Sequence, residues 1–428
     1  MQLHRVPFCC ATISYAPSRL LLLPLPDMFA RRRHRERDGR YNWHRAGIEG
    51  EVTVSEQVND GCADDFGVRL IGCADDAVLP IGMHDYVEAL DRCTLVDKTM
   101  FIADVLDCDA SVMVCCRPEG FGKSMNLSML KAFLECPAPS CAGRNLFADT
   151  QIWDADGGRY RGEYACYPVI SLDLSDAARR GATVVGVVHD ALLGECARLL
   201  AYLEAPDLPR DKVRLIERVA RGVASDGEFE SVLGVLIELL EMACDEQVVL
   251  LVDGYDAAWL GRASASGASG ADPAELLDRV LFAAIADAGD SLRLACLMGE
   301  HPGPTEAALS VRGCSYRLAT PLSTWCDRWF GFSDAEVCAL VAHAGYEEHV
   351  DDAREWLEGY RFGGAYCSSP ARVIGFLDRG CTPPVRADLY GYADCLSRVV
   401  DGWNLDRLSA LFDLLEAHGC VEAPLRLG

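Results

Sequence analysis

Lysine is scarce in this chain of 428 residues: only four of its 40 basic residues are Lys98, Lys123, Lys131 and Lys212, and the rest are arginine. Basic charge as a whole is outnumbered by 65 acidic residues, giving a net charge of −25. A surface so acidic repels phosphate backbones, which makes nucleic acid an unfavourable partner for the core. No apolar run is long enough to span a bilayer. The one candidate, Arg19-Leu20-Leu21-Leu22-Leu23-Pro24-Leu25-Pro26, is short, broken by prolines and followed by Arg31-Arg32-Arg33-His34-Arg35 where a signal peptide would carry small residues. Cysteine is not scarce, at 21 residues, yet no C-x-x-C spacing occurs, and the nine histidines never fall into H-E-x-x-H or zinc-finger spacing. An odd number of scattered cysteines reads as buried, reduced thiols in a cytoplasmic protein without a disulfide framework. No G-x-S-x-G nucleophile elbow is present either.

What is present is material for a sizeable core: half the residues are hydrophobic and a quarter are charged. The length suggests two or three units. Residues 1–78 combine the basic patch with an acidic segment that repeats Gly-Cys-Ala-Asp-Asp at 61–65 and 72–76. They read as a solvated, disordered leader with no assigned function.

At residue 111 the pattern changes. Ser111-Val112-Met113-Val114-Cys115-Cys116 has the length and composition of a buried strand, and Met125-Asn126-Leu127-Ser128-Met129-Leu130-Lys131-Ala132-Phe133-Leu134 has helical spacing. Between them lies Arg117-Pro118-Glu119-Gly120-Phe121-Gly122-Lys123-Ser124. Strand, glycine-containing turn, Gly-Lys-Ser and helix form the context of a phosphate-binding loop. Backbone N–H groups and the helix N-terminus face the phosphates there, lysine reaches the β/γ oxygens and serine ligates Mg²⁺. The pattern G-x-x-x-x-G-K-[ST] requires glycine where Arg117 stands, so spacing alone leaves two readings open: a phosphate loop, or a glycine-rich turn without a ligand.

A second element supports the first reading. Val248-Val249-Leu250-Leu251-Val252-Asp253 is a buried-strand pattern ending in a carboxylate suited to the Mg²⁺ shell, although a strand-end Asp also caps turns. The next residue is Gly254, where a catalytic Glu would be expected, and Asp256 is the nearest substitute base. Further strands are predicted at 167–173 and 291–298, and helices over about 176–204, 228–244 and 272–288, with a flexible loop at 261–270. Strands alternating with helices predict a parallel, three-layer α/β sheet. From 333 onward the chain reads as helical.

The ordered motifs resemble those of the bacterial AAA-ATPase-like family. They are Leu79-Pro80-Ile81-Gly82, Val96-Asp97-Lys98-Thr99, the Arg117-Pro118 … Phe121-Gly122-Lys123-Ser124 loop, Tyr167-Pro168-Val169-Ile170, Val252-Asp253-x-Tyr255-Asp256, Phe330-Gly331-Phe332, and Trp356-x-x-Gly359-Tyr360-Arg361-Phe362-Gly363. The resemblance spans about 79–378 and accounts for Arg117-Pro118, because the family's variant loop begins with that pair. It implies a P-loop domain at 79–330 followed by a helical lid and C-terminal region at 331–428, binding ATP and Mg²⁺. Lys123 and Asp253 are then the catalytic candidates, and Ser124 and Asp253 the metal ligands. Arg117, Gly120, Phe121, Gly122, Lys123, Ser124, Met125 and Arg361 are the nucleotide contacts, with Arg361 either sensing the γ-phosphate or simply packing on Tyr360.

The departures from the family concern catalysis. Gly254 replaces a Glu, and Met298-Gly299-Glu300-His301-Pro302 stands where Thr-Gly followed by an Arg is usual. The nuclease-like domain that usually follows needs a lysine, and none occurs after Lys212. The expectation is therefore a Mg-ATP-binding ATPase with weak or partner-dependent hydrolysis. The alternative is a hydrolysis-deficient nucleotide-binding or protein-interaction module. A DNA-processing role ranks last.

Overall fold

The computed structural model describes residues 12–16, 19–23, 67–72, 78–137, 144–178, 183–257, 273–303, 305–382 and 421–424. Within the stretch read as a disordered leader, β1 (Thr12–Ala16) and β2 (Arg19–Leu23) pair antiparallel; the basic patch lies outside the described residues. The chain divides into two compact units, one comprising Arg69–Ala319 and the other the remaining residues.

The Arg69–Ala319 unit opens with β3 (Leu70–Gly72), α1 (Tyr86–Arg92), β4 (Thr94–Val96) and α2 (Met100–Leu106), β3 and β4 pairing antiparallel. The central elements follow: β5 (Val112–Cys116), α3 (Lys123–Leu134), α4 (Gln151–Asp154), β6 (Val169–Asp173), α5 (Val184–Leu199), α6 (Arg210–Ala220), α7 (Asp226–Cys244), β7 (Val248–Asp253), β8 (Leu292–Gly299) and β9 (Tyr316–Ala319). Five strands form one parallel sheet in the order β6-β7-β8-β5-β9.

Strands sandwiched between helices need apolar residues on both faces, which is why β5 and β7 are almost uninterrupted hydrophobic runs. Val112, Val114, Cys116, Leu250, Val252, Ala295 and Leu297 join a core with α5, α6, α7 and the 273–288 helix. The alternate residues Met113, Cys115, Val249, Leu251 and Cys296 are equally buried, and α3 packs against β6, β7 and β8. The predicted α/β architecture is thus present, with helices flanking a five-stranded parallel sheet. The helix expected at 272–288 is described from Pro273 and carries a π-helical turn at Asp278–Phe282, and the 261–270 loop lies outside the described residues.

Among the described residues 14 cysteines are free thiols, eight of them buried, in keeping with their use as small hydrophobes. No helix among the described residues is long and apolar enough to cross a membrane.

In the other unit the stretch read as helical contains strands as well as helices. The helices Asp334–His343, Val350–Leu357 and Pro370–Asp378 are present, but β10 (Glu358–Phe362) and β11 (Ala365–Ser368) form an antiparallel hairpin between the last two. Gly363-Gly364 sits at its tip, a pair that accepts the positive φ of a tight hairpin turn. β12 (Val421–Pro424) pairs with β2.

Candidate nucleotide site

The carboxyl ends of β5, β7 and β8 define the site. Because β8 lies between the other two, the segment that follows it emerges between the loop after β5 and the turn after β7. Cys116 pairs with Gly299, and Asp253 with Met298. Loops at the carboxyl edge of a parallel sheet are where such folds place ligands.

The loop itself turns on two glycines. Gly120 has φ 80° and Gly122 φ 77°, left-handed values that glycine adopts without a Cβ penalty. Gly122 is also the N-cap of α3, whose first-turn N–H groups make a site for anions. Arg117 is absent from the left-handed residues, so the position read as a missing glycine imposes no positive φ here.

Arg117 is fully buried. Its backbone N–H donates to Gly299 O at 2.9 Å, and its Nη1 donates to Cys116 O at 2.8 Å and Ala319 O at 3.0 Å. The guanidinium therefore ties β5 to β9 inside the protein, while the backbone of Arg117 opens the loop. Phe121 is likewise buried and anchors the loop from beneath, whereas Ser124 and Met125 are partly exposed at the start of α3.

Lys123 folds back over the loop, its Nζ donating to the carbonyls of Arg117 and Pro118, each at 2.9 Å, and pairing with Glu300 at 3.6 Å. At the end of β7, Asp253 accepts a hydrogen bond from the Ser124 hydroxyl. Burial pushes the Asp253 carboxyl up, while Ser124 and the charge of Lys123 pull it back, and neighbouring Asp173 adds to the rise. Lys123 and Ser124 thus share one edge of the sheet with Asp253, which lies far along the chain from them.

The turn after Asp253 is tightly packed. Gly254 has φ 63°, and a Cβ there would lie 2.6 Å from Ser175 Cα and 2.7 Å from its N. Those are backbone atoms that cannot swing aside. Tyr255 is fully buried, its hydroxyl donating to His301 O at 2.7 Å. Asp256 Oδ2 accepts from the backbone N–H groups of Glu300 at 2.7 Å and His301 at 2.6 Å. Burial raises the Asp256 carboxyl to about 6. His301 is pushed down to about 4 by burial, and its Nδ1 accepts from the Gly303 N–H at 2.8 Å.

The family model described as Predicted AAA-ATPase matches residues 80–302, just over half of the chain. The chain belongs to this AAA-ATPase-like family. No curated protein and no solved structure matches it. Family membership brings a nucleotide-binding, ATPase-like function, and the matched span ends just after Glu300 and His301. Of the residues expected to form the site of this AAA-ATPase-like protein, Gly120, Gly122, Lys123, Ser124, Met125 and Asp253 lie together. Arg361 belongs to the other unit, in β10, where its Nε donates to Gly363 O at 3.2 Å and its guanidinium stacks 5.3 Å from the Tyr366 ring centroid. The guanidinium thus packs on Tyr366, across the hairpin. Sequence reasoning missed the contact of Glu300 with Lys123: no local pattern marks a glutamate one residue past a strand, and only the sheet order brings it to the loop.

Proposed function

We propose that this AAA-ATPase-like protein binds Mg-ATP on the loop 117–125 and hydrolyses it slowly or with the help of a protein partner. The observation that carries the reading is the convergence of the Lys123 ammonium, the Ser124 hydroxyl and the Asp253 carboxylate at the N-terminus of α3. Lys123 neutralises β/γ-phosphate oxygens, and the α3 amides receive the remaining charge.

The donor set suits Mg²⁺. A hydroxyl and a carboxylate are hard oxygen donors, and among the described residues no group of three or more His, Cys, Asp or Glu is arranged to hold a metal unaided. Magnesium characteristically takes one or two protein ligands and completes its shell with phosphates and water. Ser124 and Asp253 are the residues that would hold it, and the ion would neutralise charge on the phosphates.

Calorimetric titration of Mg-ATP into the wild type and Lys123→Ala tests the reading. A charged hydrogen bond contributes roughly 1.5–3 kcal/mol, so the variant should bind about 10- to 100-fold more weakly. Asp253→Ala should weaken binding only when Mg²⁺ is present. A folded wild type that takes up no heat from Mg-ATP sinks the proposal. The second reading, a nucleotide-binding module without turnover, is favoured by the closed space at Gly254. A phosphate-release assay on the same protein separates the two.

A further inference from the structure

Water attacking a phosphoryl group must be oriented, and position 254 is unable to do it, because Ser175 backbone fills the space a side chain would need. Four other carboxylates lie near the loop. Asp256 is buried and committed to two backbone N–H groups. Asp173 Oδ1 accepts from Ser175 N at 2.9 Å and caps the turn after β6. Glu119 is an exposed loop residue. Glu300 differs from all three. It follows β8 directly, between the loop and Asp253, and its side chain retains one-third of its exposure while that of Lys123 retains 12%. Its backbone is fixed by the bond to Asp256, and its carboxylate stands 3.6 Å from Lys123 Nζ.

We propose that Glu300 is the catalytic carboxylate that orients and deprotonates the attacking water, supplied from β8 in place of position 254. The inference rests on the nucleotide-binding reading above. In the protein without nucleotide, Glu300 is paired with Lys123. Phosphate oxygens recruit the ammonium and free the carboxylate beside them. The water oxygen then attacks the γ-phosphorus, the bond to the bridging oxygen breaks with its electron pair going to ADP, and the water proton passes to Glu300 before release to solvent. Burial raises the Glu300 carboxyl, Glu119 adds to the rise, and the charge of Lys123 opposes it, so displacing that charge makes the carboxylate more basic.

The test uses the full chain and its Glu300→Gln variant, which keeps the side-chain shape and the backbone bond to Asp256. Mg-ATP affinity should be equal or higher, because a competitor for Lys123 is removed, while kcat should fall about 100-fold or more, the scale of general base catalysis. Turnover by the variant at the wild-type rate overturns the proposal, as does a wild type that binds Mg-ATP without hydrolysing it. A wild type that fails to bind Mg-ATP at all overturns the nucleotide reading itself, and binding is measured first for that reason. If Glu300→Gln does not fold, Glu300→Asp carries the test: its carboxylate is one methylene short, so lowered kcat at unchanged Kd supports the role and wild-type kcat refutes it.

Discussion

Asp256 and His301 share a hydrogen bond after β8, yet they couple folding to pH in opposite senses. Asp256 titrates near 6 in the folded protein against an ordinary value of 3.8, so between those values the native state holds a proton that the unfolded chain has lost. Its contribution is greatest at the acid end and is lost as pH rises toward 6. His301 titrates near 4 against an ordinary 6.5, so there the unfolded chain holds the extra proton and stability is lost as pH falls from 6.5 to 4. The two effects largely cancel in the wild type, and single substitutions expose them. His301→Asn, whose side-chain oxygen takes the place of Nδ1, should gain on the wild type as pH is lowered from 6.5 to 4. Asp256→Asn should gain on the wild type as pH is raised from 4 to 6. Each gain is at most about 3 kcal/mol at 1.36 kcal/mol per pKa unit. Urea unfolding at several pH values between 4 and 7 measures both, and a pH-independent difference for either variant refutes the corresponding assignment.

At the scale of elements, helix ends rely on short-range devices that can be tested separately. Ser333 begins the helix Asp334–His343 with a capping box: Ser333 Oγ accepts from Glu336 N at 3.3 Å, and the Glu336 carboxylate accepts from Ser333 N at 2.7 Å. Ser333→Ala should cost about 1 kcal/mol and Ser333→Asp much less, read as shifts in the urea midpoint at constant slope. Such local signals differ in how far they can be read from sequence. β5 and β7 were legible because strands buried on both faces must be continuous apolar runs, and β6, β8, α3 and α7 followed from composition and spacing. β9 was not legible: Tyr316-Arg317-Leu318-Ala319 is a short, half-exposed edge strand without an apolar run. The β10–β11 hairpin was hidden because its strands are short and β10 follows directly on the helix Val350–Leu357, leaving Gly363-Gly364 as the local signal of a turn. The site divides the same way. Lys123, Ser124 and Asp253 announce themselves by motif and strand end, whereas Glu300 becomes significant only through the order β7-β8-β5, which no local pattern encodes.

For the whole molecule, the excess of acidic charge sets the conditions under which a nucleotide arrives. The net charge of −25 repels Mg-ATP, which is itself an anion, and the mouth of the site reinforces that field with Glu119, Asp173, Asp253 and Glu300. Arginine does not offset them at the loop, since the Arg117 guanidinium is turned into the protein. Among the described residues of the loop, attraction comes from Lys123 and the α3 amides, which act at contact distance, while repulsion acts over the Debye length, roughly 30 Å at 0.01 M salt and 8 Å at 0.15 M. Raising ionic strength across that range screens the long-range term first. The association rate of Mg-ATP should therefore increase with salt, opposite to the behaviour of a site steered by basic residues. Stopped-flow binding of a fluorescent ATP analogue with Mg²⁺ measures it directly. An association rate that falls as salt rises would mean that the local field of the loop overcomes the charge of the chain, and that the phosphates are steered by cations other than Lys123.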